Sequence, residues 1–169
     1  MGAGLGTFDY EESGTDTITI SDTTSAYQLF GGYQFNEHLA LEFGFGRTGS
    51  IKSTFSDLVP VLGPITLDVD ATYDIYALKA LGFIPLDKLS LFASAGYFSA
   101  GLGGTVNLQG VGEIGTLDGH DRGTLLTAGI QRDFGLDLKS LSIRGEYQWF
   151  DIGSDVDAWG LNISMLFRF

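Results

Sequence analysis

Cysteine is absent from this sequence. That excludes a disulfide framework, a thiolate metal site and a thiol nucleophile, and it is compatible with an oxidising compartment without requiring one. Basic residues are scarce: nine Lys and Arg stand against 21 Asp and Glu, a formal net charge of -12. Such a balance removes the cationic footprint that nucleic-acid binding needs. Only three prolines interrupt the 169 residues, and no stretch approaches the roughly 18 consecutive apolar residues of a membrane-spanning helix. Tyr76–Leu86 comes nearest, but it is short and broken by Lys79. A basic and then apolar leader is missing too, since Met1 is followed by Gly-Ala-Gly-Leu-Gly. An exported chain requires one, so the sequence is expected to be the mature form.

What is present is glycine, 25 residues of it, with 13% aromatics and 18% charged residues. This composition suits many short strands better than helices, and the length fits one domain over residues 1–169. Hydrophobicity alternates with period two. Trp159, Leu161, Ile163, Met165, Phe167 and Phe169 share one face of the last segment, and Gly160, Asn162, Ser164, Leu166 and Arg168 the other. Leu141, Ile143, Gly145, Tyr147 and Trp149 repeat the pattern against Ser142, Arg144, Glu146, Gln148 and Phe150. Six more segments read similarly, near 2–10, 25–35, 39–48, 72–84, 89–102 and 123–134. Short turns are expected at 36–38, 85–88 and 135–139. Longer connections rich in Gly and Asp are expected at 11–24, 49–71 and 103–122, with a shorter one near 152–156. Short turns at one end and long loops at the other mark an up-and-down transmembrane barrel.

Period two alone does not say which face is inside. Ionisable residues sit in the middle of the polar faces, at Glu42, Lys79, Arg144 and Glu146, with Gln131, Gln148, Asn162 and Ser164 among their polar companions. Aromatics cluster towards the ends of the apolar faces, at Tyr33, Phe35, Phe45, Tyr147, Trp149, Trp159 and Phe169, as membrane-interface girdles do. The segments are about 10 residues long, enough to cross a bilayer when tilted. These features predict an all-β, eight-stranded antiparallel barrel with an apolar outside and a polar lumen, with a soluble lipocalin-like barrel as the alternative. Phe30, Phe83, Phe92, Phe98 and Phe150 are candidates to fill that lumen.

The stretches FGGYQFNEHLALEFGFG (Phe30–Gly46), LGFIPLDKLSLFASAG (Leu81–Gly96) and SIRGEYQWFDIG (Ser142–Gly153) resemble the N-terminal barrel of the OmpA family. The closing LFRF, with Phe167 and Phe169, resembles the terminal aromatic signal read by the barrel assembly machinery. The resemblance covers essentially the whole chain but not the family's periplasmic peptidoglycan-binding domain, so a tether role is not expected of this chain alone. It implies a monomer in the outer membrane of a Gram-negative bacterium, in contact with outer-membrane lipids and lipopolysaccharide. A structural, envelope-integrity or adhesin-like role, with a surface or host ligand met by the loops, then follows, and a narrow pore for ions or small solutes is the alternative. In the family, inward charges form salt-bridged plugs. Glu42 and Arg144 match such positions well, Lys79 is offset by one residue, and Gln131 and Ser94 replace two other charges. If this cluster blocks the lumen, removing Arg144 should raise conductance.

No catalytic residue, cofactor or metal site is expected. His38 and His120 fall in a turn and a loop with no Ser at the spacing of barrel hydrolases, whose Ser and His share a strand. Most acids, including Asp68, Asp70, Glu113, Asp118 and Asp121, fall in the expected loops without the ligand spacing of a calcium loop. Arg47, Lys52 and Arg122 lie near the expected outer rim, either as plain rim charges or as contacts for lipopolysaccharide phosphates. Leu58–Leu67 is unusually apolar for a loop and reads either as strand extension or as an exposed patch.

Overall fold

The computed structural model describes residues 1–13, 19–59, 63–136, 139–151 and 156–168, with side chains undescribed at 10–22, 52–65, 135–139, 152–157 and 169. Its strands are β1 (Gly2–Ser13), β2 (Thr19–Gln34), β3 (Leu39–Thr48), β4 (Ile51–Val59), β5 (Gly63–Leu86), β6 (Leu89–Leu108), β7 (Gly112–Leu136), β8 (Lys139–Asp151) and β9 (Val156–Arg168). Sequence neighbours pair antiparallel except β3 with β4, β1 pairs with β9, and β3 pairs with β5, so the sheet closes into a ring. β3 and β4 both lie against β5 and form one stave, giving an eight-staved up-and-down barrel.

The stave is broken by one extra residue. Arg47 opposes Asp74 and Ile51 opposes Ala71, so Thr48, Gly49 and Ser50 face only Thr72 and Tyr73. This β-bulge shifts the inward parity from even numbers in β3 to odd at Ile51, which keeps both Thr48 and Ile51 buried. The Thr48 hydroxyl accepts the Tyr73 N–H (2.9 Å), and the Gly49 N–H donates to the Ser25 carbonyl (2.6 Å).

One end carries both termini and the tight turns. Asn36 Oδ1 accepts the N–H groups of His38 (2.8 Å) and Leu39 (2.9 Å), an Asx turn. Asp87 and Lys88 link β5 to β6, with Asp87 at φ 58°, a conformation Asp tolerates. Pro85 and Leu86, expected in this turn, still pair with Ser90 and Leu89.

At the other end the expected long loops are largely ladder. Ser13 pairs with Thr19, Val59 with Gly63, and Leu108 with Gly112. His120, expected in a loop, therefore lies in β7 opposite Gly101, and Leu58–Leu67 falls in β4 and β5 with residues 60–62 undescribed. β5, β6 and β7 contain 24, 20 and 25 residues, whereas about 9–11 tilted residues cross a bilayer. The surplus rises beyond the membrane as ribbons in water, where a ladder needs no apolar face, so polarity and glycine misled the loop assignment.

The two faces separate by side-chain character. Leu161, Ile163, Met165 and Phe167 point outward with more than half their surface exposed, while Asn162 and Ser164 are buried in the lumen. Leu5, Leu29, Phe43, Leu78, Leu91 and Ile130 extend the outer apolar belt. Ile163 is the most exposed of this strand's apolar residues. Ile163→Arg is expected to cost about 2–4 kcal/mol at mid-membrane, measured by urea unfolding in lipid vesicles, and a change under 0.5 kcal/mol would show this face away from lipid.

Candidate functional site: a charged and aromatic lumen

The inner face of β8 reads Ser142, Arg144, Glu146, Gln148 and Phe150 from the turn end outward, and each is buried. Arg144 begins the charged layer. Its Nη1 donates to Glu42 Oε2 (2.7 Å), and its Nε and Nη2 both donate to Gln131 Oε1 (3.3 Å each). Gln131 opposes Arg144 in the β7–β8 ladder, so register alone places the amide beside the guanidinium. The guanidinium also lies between the rings of Phe30 and Phe92, at 5.2 and 5.0 Å from their centroids, a double cation–π contact.

Lys79 completes the layer. It opposes Glu42 in the β3–β5 ladder, with its ammonium 3.0 Å from Glu42 Oε1 and 3.7 Å from Glu146 Oε2. Glu146 Oε1 accepts from Gln148 Nε2 and Gln28 Nε2, both at 2.8 Å. Two acids and two bases thus bridge β3, β5 and β8 as a neutral set, and each charged side chain is at most 7% exposed. Neutrality is a requirement here, because an uncompensated charge in such a place costs several kcal/mol. Bulk is accommodated by glycine: Gly129 lies opposite Glu146, and a Cβ there would stand 2.3 Å from the Gly145 carbonyl and 2.7 Å from the Phe92 ring.

An aromatic layer lies outward of the charged one. Phe98 and Phe150 meet edge to face at 5.2 Å, Phe8 packs on Phe150 at 5.5 Å, and Leu125, Ala100 and Ala158 close the gaps. A cavity of about 50 Å³, room for a few waters, is lined by residues of both layers, among them Glu42, Lys79, Phe8, Leu125 and Phe150. Towards the turn end Leu81, Phe83 and Phe92 cluster, and a cavity of about 520 Å³ reaches from that mouth to Glu42 and Arg144. Sequence reading placed the five phenylalanines only as lumen candidates; the structure buries Phe83, Phe92, Phe98 and Phe150 and half-buries Phe30. That they form two groups on either side of the charges depends on cross-barrel register, which no single strand reveals.

Ser94 is buried opposite Thr127, and Ser164 opposite Arg144. Tyr33, Phe35 and Tyr147 are exposed on the outer wall, Trp149 is half-buried, and Trp159 is 37% exposed and stacks on Tyr147 at 5.9 Å. Tyr33 packs edge to face on Phe35 at 5.2 Å. Phe169 and the side chain of Lys52 lie outside the described residues. Arg47 grips the Asp74 carboxylate through Nε and Nη2 (2.5 and 2.6 Å) on the outer wall. Sequence reading missed one pair: the Ser99 hydroxyl lies 3.0 Å from His120 Nε2 across the β6–β7 ladder. The two are on different strands, and the expected loop hid their register. Among the described residues, no group of three or more His, Asp or Glu converges as a metal site.

A closed antiparallel ring with an apolar outer belt and a charged interior is the form in which strands cross a membrane. The chain belongs to the family described as the outer membrane protein β-barrel domain, which matches residues 1–169, and it is a barrel of a Gram-negative outer membrane. Its fold is that of Ail, the attachment invasion locus protein of Yersinia pestis, solved in complex with the heparin analogue sucrose octasulfate. That match has 15% identity and a TM-score of 0.61, covering 99% of this chain and 97% of Ail. Neisserial surface protein A matches at 13% identity and a TM-score of 0.61, covering 97% of this chain and 94% of the other. No curated protein matches by sequence.

Breaking a buried pair by removing one partner typically costs about 3–5 kcal/mol. Arg144→Ala leaves Glu42 with Lys79 alone, and the cavity on the turn side admits solvent, so about 3 kcal/mol of lost stability is expected. Unfolding in detergent or lipid measures it, and a loss below about 1 kcal/mol, as for a surface pair, would show that the bridge contributes little.

Proposed function

We propose that this protein is a sealed outer-membrane barrel, not an enzyme, whose role is structural or surface-interacting and is exercised by the ribbons beyond the membrane. The observation that carries this reading is the double closure of the lumen, by the Phe8–Phe98–Phe150 plug and by the charged layer in series. An eight-staved barrel has just enough interior for side chains. A pore for ions or small solutes would require both seals to open together. Arg144→Ala removes only one of them, so the expectation that this change alone raises conductance gives way to a double requirement. In planar bilayers, wild type and Arg144→Ala are expected to remain closed, while Arg144→Ala combined with Phe98→Ala and Phe150→Ala conducts. Steady single-channel currents from the wild type would favour the pore.

The ribbons carry Asp68, Asp70, Glu113, Asp118 and Asp121. That sign argues for a cationic surface partner and against the sulfated sugar that accompanies Ail. At low salt the purified barrel is expected to bind immobilised polylysine and to pass through heparin unretained; retention on heparin would reverse the assignment. A Ser–His hydrolase at Ser99 and His120 is disfavoured because the backbone N–H groups at this level are committed to ladders and offer no oxyanion hole. Lipid and lipopolysaccharide contact by the belt, recognition by the barrel assembly machinery and a monomeric state complete the reading. Phe167 and Phe169 are its assembly signal, with Tyr33, Phe35, Tyr147, Trp149 and Trp159 as interface aromatics. Deleting Phe169 is expected to lower outer-membrane yield in cells several-fold and to leave detergent refolding nearly unchanged; equal yields would remove the signal role.

A further inference from the structure

On the outer wall, two ladder rows cross the rim of the apolar belt. One runs Leu29, Phe45, Tyr76, Ser99, Arg122, and the row outward of it runs Tyr27, Arg47, Asp74, Gly101, His120. Tyr76 and Tyr97, both at least half exposed, mark the end of the belt on β5 and β6. Arg122 therefore stands where hydrocarbon gives way to headgroups. Arg47 in the neighbouring row is neutralised by Asp74. Arg122 is exposed and has no hydrogen-bond or ion-pair partner among the described residues. Asp151, one diagonal away opposite Thr124, makes no ion pair with it within 4.0 Å.

Two features shape the space around this cation. The Ser99 hydroxyl is bonded to His120 Nε2 and ties the imidazole beside Arg122 on the same outward face. Gly101 and Gly103, at the outward positions above Ser99, leave the wall bare: a Cβ added at either would meet nothing within 4 Å. The result is a recess between Asp74 and His120, floored by backbone, with a guanidinium at its membrane edge. Guanidinium is weakly hydrated and presents a planar fork of donors that matches phosphate oxygens. At a rim of low dielectric an anion gains more from it than in bulk water.

We propose that Arg122, His120 and Ser99 form a headgroup site that takes the phosphate of an outer-leaflet lipid, with the acyl chains lying down the belt past Tyr97 and Leu126. The site lies on the outer wall, apart from the lumen, and adjoins the first ribbon acid, Asp118, which opposes Gly103. Arg122 supplies the charge-assisted bonds, His120 and Ser99 supply orienting hydrogen bonds, and the glycine recess allows close approach.

The test uses the whole barrel in detergent, with bound lipid counted by native mass spectrometry. The probes are diphosphorylated lipid A, the same lipid with both phosphates removed, and inorganic phosphate. The wild type is expected to retain the phosphorylated lipid about tenfold better than the dephosphorylated one, and Arg122→Gln is expected to remove that preference, as a charge-assisted bond of ordinary strength implies. Arg47→Gln, which changes the same charge beside a bound carboxylate, should alter retention less than about twofold. His120→Ala should give an intermediate loss. Equal losses in the Arg47 and Arg122 variants would reduce the effect to net charge and overturn the site. No preference for phosphorylated lipid in the wild type would overturn it as well. Competition by inorganic phosphate at millimolar concentration would assign the recess to free phosphate and overturn the lipid. Arg122→Gln lies outside the lumen, so unchanged heat-modifiable mobility on gels confirms that each variant is folded.

Discussion

In hydrocarbon every backbone N–H and C=O must be bonded within the chain, since water is not there to take them. For a sheet that means no edge inside the membrane, and the β1–β9 and β3–β5 ladders, which join strands that are not adjacent in sequence, complete the ring. The rest of the molecule follows from closure. A ring of eight staves has a fixed, narrow interior, so the inward residues must fill it, and the outward ones must match lipid. Those interior charges then face a space too small to hydrate them freely. They stand as the neutral Glu42–Lys79–Arg144–Glu146 set, with Gln28 and Gln148 donating to Glu146 Oε1 and Gln131 accepting from Arg144.

Closure was legible in the sequence because a transmembrane barrel inverts the usual relation between period and polarity. Ionisable residues at the middle of strands and aromatics at their ends are costly in a soluble sheet and natural in this one. The alternation around Arg144 and Asn162 named the lumen face residue by residue. It could not say which inward residues meet, because contact between β3, β5 and β8 depends on the stagger of the whole ring. Gln131 beside Arg144 is a ladder neighbour; Glu42 beside Arg144 is 102 positions away and across the barrel.

The outer ends were misread for a physical reason. Above the membrane a ribbon is solvated on both faces, so neither apolar periodicity nor an absence of glycine is required of it, and the composition becomes that of a loop. Ladder bonds alone hold such ribbons, and those leave little trace in residue choice. Ser99 and His120 escaped notice on the same account, since their approach depends on Gly101 opposing His120.

The bulge at Thr48–Ser50 has an evolutionary consequence. Below it the stave is locked in frame by Glu42 and by the belt, and a single inserted or deleted residue would turn every side chain to the wrong medium. Above it the parity has already been reset once, by a residue that belongs to neither ladder. The bulge thus works as a frame adaptor: the ribbon beyond can change its length by odd numbers, provided the adaptor changes with it, while the membrane half stays untouched. The length of the ribbon and the frame of the membrane half are thereby set independently within one stave.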